Sequence, residues 1–380
     1  MSGKYSLPRA VSGKRSVGPS PLFMGALVVW GLPFLGWVAL IVIWLSVSSS
    51  DPKPETETKT AQTVEETQAV NDAPAAGTEE PSGATSQTEP VEGAPSDVAE
   101  QPAPSATPGV IAAAPYNFQS AKSQLGLKME NACNTGILVD PSTRKVLWAK
   151  GADRAVPIAS MTKMMTLLLV EEAIAQGKIK RDTVIPVTEA AYRIGGSQVW
   201  LDPRESFPLN ELLKAIAIKS ANDAAFLVGE YLGEGDIDVF VARMNARARE
   251  LNMTHTSFYD AHGLGDKQKR SNLASAHDMV LLAERLLNYK EVVKLASTRM
   301  DTFRNGKMEL KNHNDLVFQR VEGVDGLKTG YTDASGYCVT FTCVRGGRRL
   351  IGCVTGFRRS KDRNTFCRAL LDWGYSQPRE

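Results

Sequence analysis

Residues 22–47 carry no charged side chain, and this one run constrains where everything after it can fold. As a helix rising 1.5 Å per residue it would be roughly 39 Å long, enough to cross a bilayer with some tilt. Trp30, Pro33, Trp37 and Trp44 lie inside it and are compatible with a membrane helix. Lys4, Arg9, Lys14 and Arg15 all precede it and no acid does. By the positive-inside rule, 1–21 is then a cytoplasmic basic segment and the chain beyond Ser50 lies outside. The competing reading is a cleaved signal peptide, because Ser46-Val47-Ser48 supplies small residues near a usable cleavage site. An apolar signal core runs to only about 7–15 residues, so length favours a retained single-pass anchor over 22–47. Both readings export the remainder.

Residues 51–114 hold twelve acids against Lys53 and Lys59, and nine of the twenty prolines. With few aromatic or branched residues, such a stretch cannot bury enough surface to offset its ordering entropy, and it reads as a disordered, self-repelling tether. As a coil it would span about 45 Å. The whole chain is +2, so residues 115–380 carry +8. A basic domain suits a carboxylate-rich partner, and no nucleic-acid-binding pattern accompanies the charge. Cys133, Cys338, Cys343, Cys353 and Cys367 fall in the exported part, where disulfides are permitted, but an odd number leaves at least one thiol unpaired in a monomer. Their spacing fits no zinc motif and the four histidines do not cluster with them, so neither metal nor cofactor is expected. Cys338, Cys343 and Cys353 lie in strand-like apolar runs and read as buried small hydrophobes.

Beyond residue 115 the periodicity changes twice. Runs at 135–139 and 145–149, separated by turn-forming residues, predict a hairpin. Residues 160–175 predict a strong helix, and 210–217, 223–232 and 237–251 further helices. Strands are expected at 323–330, 335–345 and 348–356, the last two joined by Gly346-Gly347, and a closing helix at 361–373. Strands at both ends with helices between them predict an α+β fold in which the terminal segments share one antiparallel sheet.

Three short motifs occur in order: Ser160-Met161-Thr162-Lys163, Ser220-Ala221-Asn222 and Lys328-Thr329-Gly330. The spacing Ser-x-x-Lys also occurs at Ser50 and Ser142, but only Ser160 opens a predicted helix. One helical turn puts Lys163 on the same side as Ser160, and the helix start favours negative charge developing on the serine oxygen. Serine is a poor nucleophile until a base takes its proton, and lysine can be that base if burial or a second cation lowers its pKa. Lys328 is a candidate for that cation. Ser220 and Asn222 would point the same way on an extended segment, and Asn222 or Asp223 also suits a helix N-cap. At Gly330 the missing Cβ would let a peptide lie along the strand, and Lys328 and Thr329 could bind its carboxylate. Strict alternation puts those two on opposite faces, so both can serve one site only at an exposed, twisted edge.

The ordered triplet resembles the penicillin-recognising serine hydrolases and transferases. Further stretches narrow the resemblance to D-alanyl-D-alanine carboxypeptidases, the low-molecular-mass penicillin-binding proteins. These are 157–163, Gly195-Gly196-Ser197, 220–225, Met244-Asn245, the run 258–264 ending His262-Gly263-Leu264, 326–332 and Gly336-Tyr337-Cys338. The likeness covers 120–376 and implies a β-lactamase/transpeptidase-like fold, an antiparallel sheet flanked by helices with an all-helical subdomain. It implies that Ser160 is acylated, Lys163 is its general base, Ser220 and Asn222 relay protons and hold the substrate amide, and Lys328 and Thr329 bind the terminal carboxylate. It further implies an oxyanion hole from the N–H groups of Ser160 and Tyr331. Arg363 stands where the family has a carboxylate-assisting arginine, with a surface helix cation as the alternative. His262 reads as a packing or loop residue, since Lys163 already supplies a base. The implied partners are the peptidoglycan stem peptide and β-lactam antibiotics, with the bacterial cytoplasmic membrane reached through 22–47.

Two features depart from the family pattern. Relatives usually continue into a small β-rich domain and a C-terminal amphipathic helix, so the anchor is expected at the N-terminus here. Tyr331 also stands where some relatives have histidine. Three other activities compete. A class A β-lactamase needs a deacylating glutamate in Glu-x-x-Leu-Asn after the second motif, and the nearest string, 205–210, is one residue too long and precedes Ser220. A D,D-endopeptidase would use the same triplet. A silent wall-binding scaffold would have no need of it.

Overall fold

The computed structural model describes residues 114–379. The anchor expected over 22–47, and all but the last residue of the tether expected over 51–114, lie outside the described residues. Among those described, no helix is long and apolar enough to cross a membrane.

Five strands form the central sheet: β1 (Gly136–Asp140), β2 (Lys145–Lys150), β3 (Val324–Thr332), β4 (Gly336–Arg345) and β5 (Arg348–Phe357). Their order is β2-β1-β5-β4-β3 and all neighbours are antiparallel. The predicted sharing of one sheet by both chain ends is therefore observed: Gly136 pairs with Val354 and Ile137 with Cys353. Gly346 and Gly347 both take positive φ, 53° and 72°, the backbone a two-residue hairpin turn requires. β3 is left as an edge.

Both faces of the sheet are covered, which is why the inner strands are buried along most of their length rather than at alternate positions. On one face Ile137, Val139, Ile351 and Cys353 join a core with α1 (Lys163–Ala175), α2 (Asn222–Leu232), α3 (Ile237–Glu250) and α4 (Ala276–Leu286). On the other, Leu138, Trp148, Val339, Phe341 and Val354 pack against Phe366, Leu370 and Leu371 of α5 (Ser360–Ser376). All five cysteines are free and buried, as small hydrophobes within these two layers. Among the described residues three two-stranded ribbons accompany this sheet, one of them Met300–Phe303 with Met308–Lys311.

Candidate active site

The expected helix from residue 160 begins one turn later. Lys163 opens α1, and Ser160 sits in the tight 3-10 turn Ala159–Thr162 that precedes it. Ala159 is held at φ 47°, and the turn is pressed from two sides. A Cβ on Gly263 would stand 2.1 Å from Ala159 O, and one on Gly330 2.5 Å from Ile158 O and 3.3 Å from Ser160 N. Only glycine allows such backbone approach. This corrects the expected role of Gly330. The space its missing side chain leaves is filled by the protein's own backbone rather than by a bound peptide, and it sets the separation between β3 and Ser160.

Lys163 is fully buried. Its Nζ lies 2.9 Å from Ser160 Oγ, 2.6 Å from Asn222 Oδ1 and 2.5 Å from His262 O. Burial first, then the positive charge of Lys328, push its pKa well below the lysine range, against an opposing pull from Asp260 and Asp223. A neutral amine has two N–H groups and one lone pair. If the amine is neutral and donates its N–H groups to Asn222 Oδ1 and His262 O, its lone pair is left for the Ser160 hydroxyl.

His262 thus supplies a carbonyl to the site rather than an imidazole. Its Nδ1 accepts the Leu264 N–H, and burial lowers the ring to about 4, so it is neutral. Asp260 bends this loop by accepting the N–H groups of His262, Gly263 and Gly265. Sequence reasoning did not single out the His262 carbonyl or Asp260, because a backbone acceptor carries no residue signature. Both residues lie within the matched run 258–264, but nothing in that run marks which groups face the site.

Ser220 and Asn222 do not lie on an extended segment. The helix Leu209–Lys214 widens into a π turn, Ala215–Lys219, which ends at Ser220 in the left-handed region, φ 63°. Nor does Asn222 or Asp223 cap α2: Ala221 is the N-cap and Asn222 the first helical residue. Instead the Asn222 N–H donates to Ser197 O and its Nδ2 to Gly195 O, which leaves Oδ1 turned to Lys163. The Asp223 carboxylate accepts the N–H groups of Val199 and Leu201, tying the loop 193–205 to the start of α2. Ser220 is buried, and among the described residues its hydroxyl has no hydrogen-bond partner.

β3 is an edge strand of the sheet, but Lys328 and Thr329 are buried rather than exposed on it. Lys328 and Gly330 pair with Thr340 and Cys338, on the face of Met161, and Thr329 pairs with Val339 on the other face. Lys328 is buried, and among the described residues its Nζ donates only to Thr329 O, at 3.1 Å. Burial and then the charge of Arg363 lower it to about 7. The exposed Tyr331 stacks on Tyr337 and donates its hydroxyl to Asp333. Arg363 is no surface cation. It is buried behind β4, donating to Cys338 O and Asn364 Oδ1 with no carboxylate in salt-bridge range among the described residues. Among the described residues Ser220 Oγ makes no hydrogen bond and Lys328 Nζ makes one, which leaves both able to receive a ligand's polar groups. Glu205, nearest to the β-lactamase string, is engaged by Arg304. No cluster among the described residues could hold a metal ion.

A buried lysine amine within hydrogen-bond reach of a serine hydroxyl, its pKa pushed down by burial and a second lysine, is the arrangement of serine hydrolases that work through an acyl-enzyme. Comparison with known proteins names the family. The family model described as D-alanyl-D-alanine carboxypeptidase, peptidase S11, matches residues 119–358, and the chain belongs to that family. It is 37% identical over 267 residues to D-alanyl-D-alanine carboxypeptidase DacF of Bacillus subtilis, covering 70% of this chain and 67% of that one. To DacA of Escherichia coli it is 33% identical over 246 residues, 63% of this chain and 60% of the relative. The chain therefore spans three fifths to two thirds of the length of these relatives. Among solved structures, penicillin-binding protein D2 of Listeria monocytogenes in its ampicillin-bound form has a TM-score of 0.60 at 30% identity. That match covers 67% of this chain and all of that one. Penicillin-binding protein 5 of Haemophilus influenzae has a TM-score of 0.62 at 28% identity, covering 67% and 73%. The mixed fold around an antiparallel sheet is that of these penicillin-binding proteins.

Proposed function

We propose that the protein is a serine D,D-carboxypeptidase that removes the terminal D-Ala from peptidoglycan pentapeptide stems, and that β-lactams acylate the same serine. The observation that carries this reading is the 2.9 Å approach of the buried Lys163 amine to Ser160 Oγ. Lys163 takes the hydroxyl proton as Ser160 Oγ bonds to the carbonyl carbon of the penultimate D-Ala. The N–H groups of Ser160 and Tyr331 receive the oxyanion. The C–N bond then breaks and the proton passes by way of Ser220 to the leaving D-Ala amine. Water hydrolyses the ester, with Lys163 again the base. Asn222 holds the substrate amide, and Lys328 with Thr329 receives the terminal carboxylate, assisted by the charge of Arg363.

The test is D-alanine release from a pentapeptide ending D-Ala-D-Ala, together with labelling by fluorescent penicillin. Ser160→Ala is expected to lose both, and labelling that survives would refute the assigned nucleophile. One relative, a D-alanyl-D-alanine endopeptidase of Haemophilus influenzae, is 32% identical over 207 residues, so cleavage of cross-linked stems is the second reading. Product analysis on monomeric against cross-linked muropeptides separates the two.

The same reading gives residues 115–380 the two-part transpeptidase-like architecture with an all-helical subdomain. It places them outside the cytoplasmic membrane on an acidic tether behind a single-pass helix at 22–47. Its support is the uncharged length of that run and the four basic residues before it. Recovery of a C-terminally tagged chain, shortened by the length of the N-terminal segment, in the soluble extracytoplasmic fraction would refute the anchor.

A further inference from the structure

The loop 193–205 presents one side chain in a way that core packing does not require. Asp223 accepts the N–H groups of Val199 at 3.1 Å and Leu201 at 3.2 Å. Arg304, at the turn of the ribbon Met300–Phe303 with Met308–Lys311, donates to Val199 O at 2.5 Å and Trp200 O at 2.6 Å and is itself held by Glu205. Val199 and Leu201 are buried, whereas Trp200 between them is 65% exposed. Trp200 also has φ 51°, a left-handed backbone that a bulky side chain keeps only where its surroundings enforce it. These bonds together hold a large aromatic ring rigidly out in water. Four residues further along the same loop the Arg204 guanidinium donates to both carboxylate oxygens of Asp202.

An exposed indole face held on a fixed loop is suited to a sugar. The apolar C–H face of a pyranose stacks on the ring, and its hydroxyl and amide groups find donors and acceptors alongside. A five-residue stem spans at most roughly 17 Å, so with its end at Ser160 the sugar that carries it lies within that radius. Trp200 is next in sequence to Val199, which Asp223 holds beside Asn222. We infer that Trp200 is a stacking platform for the amino-sugar chain bearing the stem peptide, so that the enzyme favours glycan-linked over free peptide. This rests on the carboxypeptidase reading above.

The full chain is assayed on a free pentapeptide ending D-Ala-D-Ala and on the same pentapeptide linked to its disaccharide. Wild type is expected to favour the linked substrate by about ten-fold in kcat/KM. Trp200→Ala is expected to abolish that preference while turnover of free peptide and acylation by penicillin stay within about two-fold, and Trp200→Phe to retain most of it. A wild type that treats both substrates alike overturns the inference, as does Trp200→Ala that lowers both equally or neither. Failure to release D-alanine from free peptide would instead strike the carboxypeptidase reading. In that case the affinity of Ser160→Ala protein for the linked peptide, with and without Trp200→Ala, still decides the platform, and equal affinities overturn it.

Discussion

Lys163 and Asn222 are joined by a 2.6 Å hydrogen bond in which the amine donates to Oδ1, and this bond helps decide which way the lysine lone pair faces. Asn222→Asp keeps the shape but puts a carboxylate there. An opposite charge at that distance favours the ammonium form, so it raises the pKa of Lys163 and removes the lone pair at neutral pH. Acylation by penicillin is expected to fall about 100-fold near neutrality and to recover as pH rises. Stopped-flow acylation against pH checks this; a variant with the wild-type profile would show that Asn222 does not govern the charge of Lys163.

Lys163→Arg tests the same base from the other side. A guanidinium stays charged at any accessible pH, so it keeps a cation near Ser160 but offers no lone pair. D-alanine release and penicillin acylation are both expected to drop by about 1,000-fold, with no recovery at high pH. Recovery on raising pH would mean that some other group takes the serine proton.

Lys328 carries a stability cost whose sign can be checked. Its folded pKa of about 7 lies below the ordinary lysine value of 10.5, so between those values the unfolded chain binds the extra proton. Stability from this group therefore rises with pH across that window, and the cost is present in full below it. Lys328→Met is expected to raise the melting temperature by several degrees near pH 6 and by less near pH 10. Melting curves at both ends read the difference, and an equal shift at both would show that the gain does not come from titration.

The glycine contacts give a pair of opposed predictions. Gly330→Ala puts a methyl 2.5 Å from Ile158 O, so β3 must move away from Ser160. Penicillin acylation is expected to fall about 100-fold, with a loss of stability of about 1–3 kcal/mol. Gly195→Ala meets nothing within 4 Å and is expected to change neither by more than a small factor. Acylation kinetics and melting temperatures of the two proteins, compared side by side, make the check.

What can be read from the sequence divides along physical lines. The hairpin strands, the three late strands and the helices at 223–232, 237–251 and 361–373 are legible to within about three residues because burial imposes a period on each. The structure has them at Gly136–Asp140, Lys145–Lys150, Val324–Thr332, Gly336–Arg345, Arg348–Phe357, Asn222–Leu232, Ile237–Glu250 and Ser360–Ser376. Ser160, Lys163 and Asn222 are legible as a constellation through motif order, and the structure joins them by hydrogen bonds. Misread are the features that depend on backbone from distant parts of the chain: the 3-10 turn at Ser160, the π turn before Ser220, and Gly330 packed on Ile158 O. Arg363 is misjudged as half surface because a helical pattern cannot show that one face lies under the sheet.

Arg363 gives the last prediction, since it touches neither Ser160 nor Lys163 yet bears on both through Lys328. After burial its charge is what lowers Lys328, and Lys328 in turn lowers Lys163. In the free enzyme Lys328 must be protonated to attract a carboxylate, so kcat/KM is expected to fall as pH rises through about 7, where Lys328 loses its proton. Arg363→Gln retains a donor for Cys338 O but removes the charge. Lys328 then holds its proton to higher pH, and the falling limb moves up with it. The ratio of kcat/KM at about pH 8.5 to that at about pH 6.5 is expected to increase several-fold, even if activity at the optimum drops. A substrate lacking the terminal carboxylate should show neither the limb nor its movement. A purely structural role for Arg363 would lower the whole profile and leave the limb in place, so the pH dependence of kcat/KM in the two proteins decides between positioning by charge and packing.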